Sequence, residues 1–225
     1  MKIRRPDGAR RAFADEFERG FLSDHGFALA MHTVVGISGA SGIVYGTRLL
    51  ETLPGKKTVI VSRDAKVIAQ MELGLDAGDV YALADAHFEN EEMTAPIASG
   101  SVKFDSMVIA PCSSSTLSKI ACGISDNLMT RVAAVALKER RKLVLVIRET
   151  PLSSIVVENM SRLTRAGAVV LPASPAFYPK PRGINDMVDF VVGRVLDQLG
   201  VENDLYKRWP GRGPTDNRVS RRKRR

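Results

Sequence analysis

The chain has 225 residues, 44% of them hydrophobic and 6% aromatic, which suits one large domain with a sizeable core and excludes disorder of the whole. No uninterrupted apolar run approaches the roughly 18–20 residues of a membrane span, and so few aromatics exclude long stacking platforms for single-stranded nucleic acid. The net charge of +8 is a property of the tail: nine Lys/Arg against Asp216 give residues 207–225 a charge of +8, residues 1–30 come to +1, and residues 31–206 to −1.

Residues 1–30 carry Arg4-Arg5 but no apolar stretch behind them, so they do not read as a secretory signal. They are expected to be a loosely packed arm or a segment ahead of the functional start, since Met31 stands directly before the first strand pattern. The spacing of Phe13, Phe17 and Phe21 would let such an arm dock as a helix. From Met31 onward, short apolar runs at 33–38, 58–62, 106–110, 142–147 and 168–171 alternate with helical patterns near 42–53, 64–73, 116–140, 153–166 and 184–199. Near-continuous Val/Ile/Leu runs are what strands covered on both faces require. Strand–helix repetition predicts an α/β fold: an open, doubly wound, mostly parallel sheet of Rossmann or flavodoxin type in three layers, spanning residues 31–206. The tail 207–225, ending in Arg221-Arg222-Lys223-Arg224-Arg225, reads as a solvated charge run, with RNA or a membrane surface as the alternative partner.

Ligands of such sheets sit beyond the carboxyl ends of the strands, where the strand order reverses. The residues expected there are Gly39-Ala40-Ser41-Gly42 after the first strand, Ser62 after the second, and Pro111-Cys112-Ser113-Ser114-Ser115-Thr116 after the third. Arg148-Glu149 follow the fourth, and the loop 172–183 with Tyr178 follows the fifth. The turn at 36–42 opens a helix, where main-chain N–H groups and the helix dipole attract an anion. Its spacing is not G-x-G-x-x-G, and Ser62 stands where a dinucleotide fold places the acid for its ribose, so a nicotinamide dinucleotide is a poor fit. Gly55-Lys56-Lys57-Thr58 precedes a strand and is no phosphate-binding P-loop.

Ser41, Ser62 and Ser113–Thr116 offer neutral donors for a terminal phosphate, which suits a mononucleotide such as FMN. Helix capping accounts for one hydroxyl of the 113–116 cluster but not for four. Lys138, Arg148 and Arg194, with Tyr178 between the last two, form a second group of cations fit for a separate phosphate. Two cysteines, Cys112 and Cys122, make no disulfide framework and point to a reducing, cytoplasmic compartment.

The segments GISGASG (36–42), SRDAKVIAQMEL (62–73), APIASGS (95–101), the stretch 111–151 and LPASPAFYPKP (171–181) resemble UbiX-type flavin prenyltransferases over about residues 31–209. The resemblance implies an enzyme that transfers a dimethylallyl group from dimethylallyl monophosphate to N5 and C6 of reduced FMN, with no metal. It implies a product, prenylated FMN, used by a UbiD-type decarboxylase, and a homo-oligomer, commonly a dodecamer, with its active site at subunit contacts. By position, Gly39, Ala40, Ser41 and Ser62 would hold the FMN phosphate region, and Ser113, Ser114, Ser115, Thr116 and Arg148 would line the flavin. Lys138, Arg148, Tyr178 and Arg194 would hold the prenyl phosphate. Glu72 and Glu149 match the active-site carboxylates, Ser41 joins them in catalysis, and Trp209 matches an aromatic that closes over the pocket. Some members carry a tryptophan where Met93 stands here, leaving Phe88 or Trp209 to compensate or turnover to fall. Three rival readings remain: a flavin-dependent cysteine decarboxylase, which would want an active-site histidine and a late cysteine; direct aromatic-acid decarboxylation; and a flavin carrier or RNA-binding protein.

Overall fold

Val34 and Val35 are neighbours on one strand and both are fully buried, because that strand is covered on each of its two faces. The structure, a computed structural model, describes residues 31–211. The expectations for residues 1–30, and for the tail beyond residue 211, lie outside the described residues.

Six strands run parallel: β1 (His32–Ile37), β2 (Lys56–Val61), β3 (Ala86–Glu89), β4 (Ser106–Cys112), β5 (Lys142–Ile147) and β6 (Val169–Pro172). Their spatial order is β3-β2-β1-β4-β5-β6, the doubly wound order that reverses direction between β1 and β4. Six α-helices lie between strands, α1 (Ile43–Thr52), α2 (Arg63–Leu73), α3 (Ala77–Tyr81), α4 (Ser114–Ala121), α5 (Leu128–Lys138) and α6 (Ser154–Arg165), and a seventh, α7 (Ile184–Leu199), follows β6; a short 3-10 turn (Pro96–Ala98) lies between β3 and β4.

The pleat sorts side chains between two cores. Val35, Ile37, Val108, Ala110, Val144 and Val146 pack with residues of α1, α2 and α7. Their alternate neighbours Val34, Met107, Ile109, Leu143, Leu145 and Ile147 pack with α4, α5 and Leu163 of α6. The expected three layers are therefore present.

Three details differ from the sequence reading. The strand β3 is absent from it because Ala86-His87-Phe88-Glu89 carries no apolar run; an edge strand needs only half a covering. The single helix expected over 116–140 is two helices, since Gly123 takes a left-handed φ of 72° and Asn127 caps a new helix through a reciprocal capping box with Thr130. Strand β4 runs on to Cys112, so Ser113 is the first residue beyond the sheet there.

Candidate active site

The carboxyl ends of β1, β2, β4 and β5 open on a cleft of ≈ 460 Å³ at the reversal of strand order. Of the residues expected at a site, Gly39, Ala40, Ser62, Ser113, Ser114, Ser115, Thr116, Arg148 and Glu149 line it.

Close backbone packing shapes the floor. A Cβ on Gly39 would stand 2.7 Å from Asp64 Cβ, so only glycine lets the β1–α1 loop lie against the first turn of α2. Gly42 precedes α1 with φ 100°, a left-handed conformation that a side chain resists. Ser38 joins the two central strands at their ends: its hydroxyl donates to Pro111 O at 2.9 Å and accepts from Ser113 N at 2.8 Å.

The hydroxyls are arranged as donors. Ser62 caps α2 by accepting from Ala65 N at 3.2 Å, which uses its oxygen and leaves its hydrogen. Ser113 caps α4 by accepting from Thr116 N at 3.2 Å and donates to Thr116 Oγ1 at 3.0 Å. The relay ends on the Thr116 hydroxyl hydrogen. Capping thus explains Ser113, as expected of one member, and leaves the rest of the cluster available.

The start of α1 departs from the sequence expectation of an open anion site. Glu72, reaching from α2, accepts from Gly42 N at 2.9 Å and from Ile43 N at 3.0 Å. Partial burial works to raise the Glu72 carboxyl, but hydrogen bonds from Ser41, Gly42 and Ile43, with the charge of Arg148, outweigh it and hold it below the usual range. Glu72 is a built-in anion at that helix end, so the N–H groups of Gly42 and Ile43 are already taken.

Arg148 lies near enough to lower this carboxyl through its charge, and it also lines the cleft. Its Nε donates to Ser41 O at 3.1 Å, and among the described residues its two Nη groups have no protein acceptor. Glu149, beside it, accepts from Thr150 N at 3.1 Å through Oε1. The lining carries Arg63, Lys119 and Arg148 against Asp64, Glu91 and Glu149, and Lys119 is paired to Asp126 at 2.7 Å. The lining cations left without an ion pair among the described residues are therefore Arg63 and Arg148, set among hydroxyls and balanced by three carboxylates rather than in a general positive field.

The other expected residues gather elsewhere in this chain. Tyr178 meets Trp209 edge-on at 5.3 Å and Phe190 at 6.0 Å, on the β6–α7 side. Arg194, on α7, lines a second depression of ≈ 300 Å³ with Val169–Pro172 and Phe190. It donates to Asp197 Oδ2 at 2.9 Å and to Tyr206 Oη at 3.3 Å, and Arg208 joins Asp197 at 2.8 Å, so two guanidinium groups share one carboxylate. Lys138 lies at the last turn of α5, about 16 Å of helix from Asn127 in the cleft, and pairs with Glu139 at 2.6 Å. The APIASGS segment lies beside it, and Arg141 holds the main chain there through Gly100 O at 2.8 Å and, just past the segment, Val102 O at 2.9 Å. Within one chain, then, the hydroxyl cleft, the Tyr178–Arg194 group and Lys138 are three separate places.

The sequence reading missed Arg63, Asp64, Asn90, Glu91, Lys119 and Asn127 in the lining. Asn127 was legible from the Asn-x-x-Thr capping pattern. Asn90 and Glu91 were hidden with β3, the strand they follow. Cys112 is fully buried, which pushes its thiol up to about 12 and keeps it protonated at neutral pH. Phe88 is packed against the core that α4 and α5 cover and forms no wall of the cleft, while Met93 is 41% exposed. Among the described residues, no cluster of three His, Cys, Asp or Glu could hold a metal, and no helix is long and apolar enough to cross a membrane.

A profile described as Flavoprotein matches residues 28–196. The flavin prenyltransferase UbiX of Thermoplasma acidophilum is 55% identical over 180 residues, 80% of this chain and 100% of that one. Among solved structures, AnUbiX (PadA1) in complex with FMN and dimethylallyl pyrophosphate superposes with a TM-score of 0.79 at 42% identity, covering 81% of this chain and 98% of that one. The dodecameric FMN-dependent UbiX-like decarboxylase from Escherichia coli O157:H7 gives a TM-score of 0.78 at 43% identity, over 80% and 100% of the two chains.

Proposed function

The chain belongs to the flavoprotein family, among its UbiX-type flavin prenyltransferases, and from that premise we propose that it transfers a dimethylallyl group from dimethylallyl monophosphate to N5 and C6 of reduced FMN. The observation that carries the reading is the cleft at the strand reversal. There Ser62 and the Ser113–Thr116 relay present hydroxyl donors, and Arg148 presents guanidinium N–H groups with no acceptor among the described residues. That donor set fits a flavin mononucleotide: neutral hydroxyls for a phosphomonoester, and a planar cation beside the ring's oxygen-bearing edge. When bound, reduced FMN supplies the nucleophilic ring atoms.

The roles of this chain's residues follow from charge. Leaving of an allylic phosphate places negative charge on its oxygens and positive charge on the dimethylallyl carbons. Lys138, Arg148, Arg194 and Tyr178 donate to the former, more strongly as the bond breaks than before it. Trp209 offers an aromatic face to the latter, a contact worth on the order of 0.5–2 kcal/mol. Glu149, in the cleft with one oxygen held by Thr150 N, is the carboxylate we assign to accept the proton lost on ring closure. Glu72 remains ionised and holds the Ser41 loop in place against Arg148.

The three places that one chain keeps apart are brought together, in this reading, by a homo-oligomer whose neighbours present Tyr178, Arg194 and Lys138 to the cleft. Support comes from apolar side chains left open on the described surface, among them Ile155 at 67%, Phe177 at 71% and Ile184 at 76% exposed, which suit burial between copies. It also comes from the dodecameric relative. The product, prenylated FMN, would serve a UbiD-type decarboxylase. The AnUbiX complex contains the pyrophosphate of the same alcohol, so the donor's phosphate count is part of the test.

Incubation of purified protein with reduced FMN and dimethylallyl monophosphate is expected to yield a flavin heavier by one C5 unit in mass spectrometry. Unmodified FMN with both the monophosphate and the pyrophosphate would overturn the enzyme reading. Flavin that binds without gaining mass would favour a carrier.

A further inference from the structure

Asn90 is the first residue beyond β3 and is only 8% exposed. Both of its acceptors are used by the start of α5: its main-chain oxygen accepts from Leu128 N at 2.8 Å, and its Oδ1 accepts from Met129 N at 3.0 Å. These belong to the first N–H groups of a helix, which have no acceptor within it. A main-chain N–H can only donate, so the orientation of the carboxamide is settled: the oxygen faces α5 and the NH2 group faces away from it.

Nothing among the described residues accepts from Asn90 Nδ2, and Asn90 lines the cleft together with Ser62, Ser113, Thr116 and Asn127. Nδ2 is not a sealed orphan either, since the one fully sealed side-chain polar atom without a partner among the described residues is Asn203 Oδ1. Asn127, the other amide in the lining, is spent: its oxygen accepts from Thr130 N at 3.0 Å and its Nδ2 donates to Asp126 at 3.0 Å. Asn90 thus differs from its neighbour in holding a donor that is fixed from behind and open in front. A donor fixed in this way loses little conformational freedom when a ligand arrives.

We propose that Asn90 is a ligand-positioning residue of this cleft, its NH2 group donating to an acceptor oxygen of the bound flavin nucleotide. The inference rests on the reading that the cleft takes FMN, whose phosphate, ribityl and ring-carbonyl oxygens are all acceptors of that kind. Asn90→Asp separates this role from the capping of α5. One aspartate oxygen still receives Met129 N–H, and its charge suits a helix N-terminus, while the other replaces the donor with an acceptor that repels the ligand's oxygen. Asn90→Ala removes both functions.

The test is titration of the flavin-free protein with oxidised FMN and with riboflavin, followed by flavin fluorescence, alongside thermal unfolding of the flavin-free form. Asn90→Asp is expected to unfold within about 3 °C of the unaltered protein and to bind FMN at least about tenfold more weakly. Asn90→Ala is expected to lose both stability and affinity. A loss that disappears with riboflavin assigns the acceptor to the phosphate; a loss that persists assigns it to the ribityl chain or the ring. Unchanged FMN affinity in Asn90→Asp overturns the inference, as does unchanged affinity in Asn90→Ala if the aspartate variant does not fold. Failure of the unaltered protein to bind FMN is a different result and removes the FMN reading itself.

Discussion

The guanidinium of Arg148 donates from Nε to the main-chain oxygen of Ser41 at 3.1 Å, tying the loop after β5 to the loop after β1 across 107 residues of sequence. One face of the fork is thereby spent on the fold, and the two Nη groups remain for a ligand. Lysine's ammonium is a point charge without a planar fork, so it cannot hold Ser41 O and also present a pair of aligned N–H groups to a ligand. Arg148→Lys is expected to weaken FMN binding by about tenfold or more in equilibrium titration, even if the protein stays folded. Undiminished affinity would mean that the fork is not used.

Arg194 and Tyr178 stand apart from the hydroxyl cleft and share no lining residue with it. Arg194→Ala and Tyr178→Phe are expected to raise the KM for dimethylallyl monophosphate, while FMN dissociation stays within about twofold of the unaltered protein. A variant that instead empties the flavin site would show that the two anion sites are not distinct.

Asp197 is held at about 2, below its ordinary 3.8. Its partial burial pulls the other way, and hydrogen bonds from Arg208, Tyr206 and Asn203 win. A carboxyl with a depressed folded-state pKa stabilises the protein above its unfolded pKa and loses that contribution as pH falls toward the folded value. The stabilisation, on the order of 2 kcal/mol, should therefore fade between about pH 4 and pH 2. Asp197→Asn is expected to lower the denaturant midpoint at neutral pH and to flatten the acid limb in that window. An unchanged acid limb would show that Asp197 does not hold the 203–208 segment to α7.

Cys112 is buried and its thiol is pushed up to about 12, while Cys122 is exposed. Cys122→Ser is expected to show no reaction with a thiol reagent until denatured, with unaltered flavin modification. Rapid labelling in the native state would mean that β4 opens at its carboxyl end.

Sequence alone went far along the chain. Continuous apolar runs at 106–110 and 142–147 announce strands covered on both faces, because no exposed strand could afford them. The parallel sheet then places Gly39, Ser62, Ser113 and Arg148 at one edge, since each follows the carboxyl end of a strand. What failed locally failed for want of a core: β3 has polar His87 and Glu89 because it lies at the sheet's rim.

Local pattern and strand order thus determined the fold and the hydroxyl edge, since both depend on periodicity that survives in one dimension. Only the tertiary structure could decide that Glu72 occupies the start of α1, that Asp197 is shared by Arg194 and Arg208, and that Lys138 lies a helix length from the cleft. Those outcomes depend on which side chains from distant elements reach the same point, and no spacing along a chain encodes a distance across it.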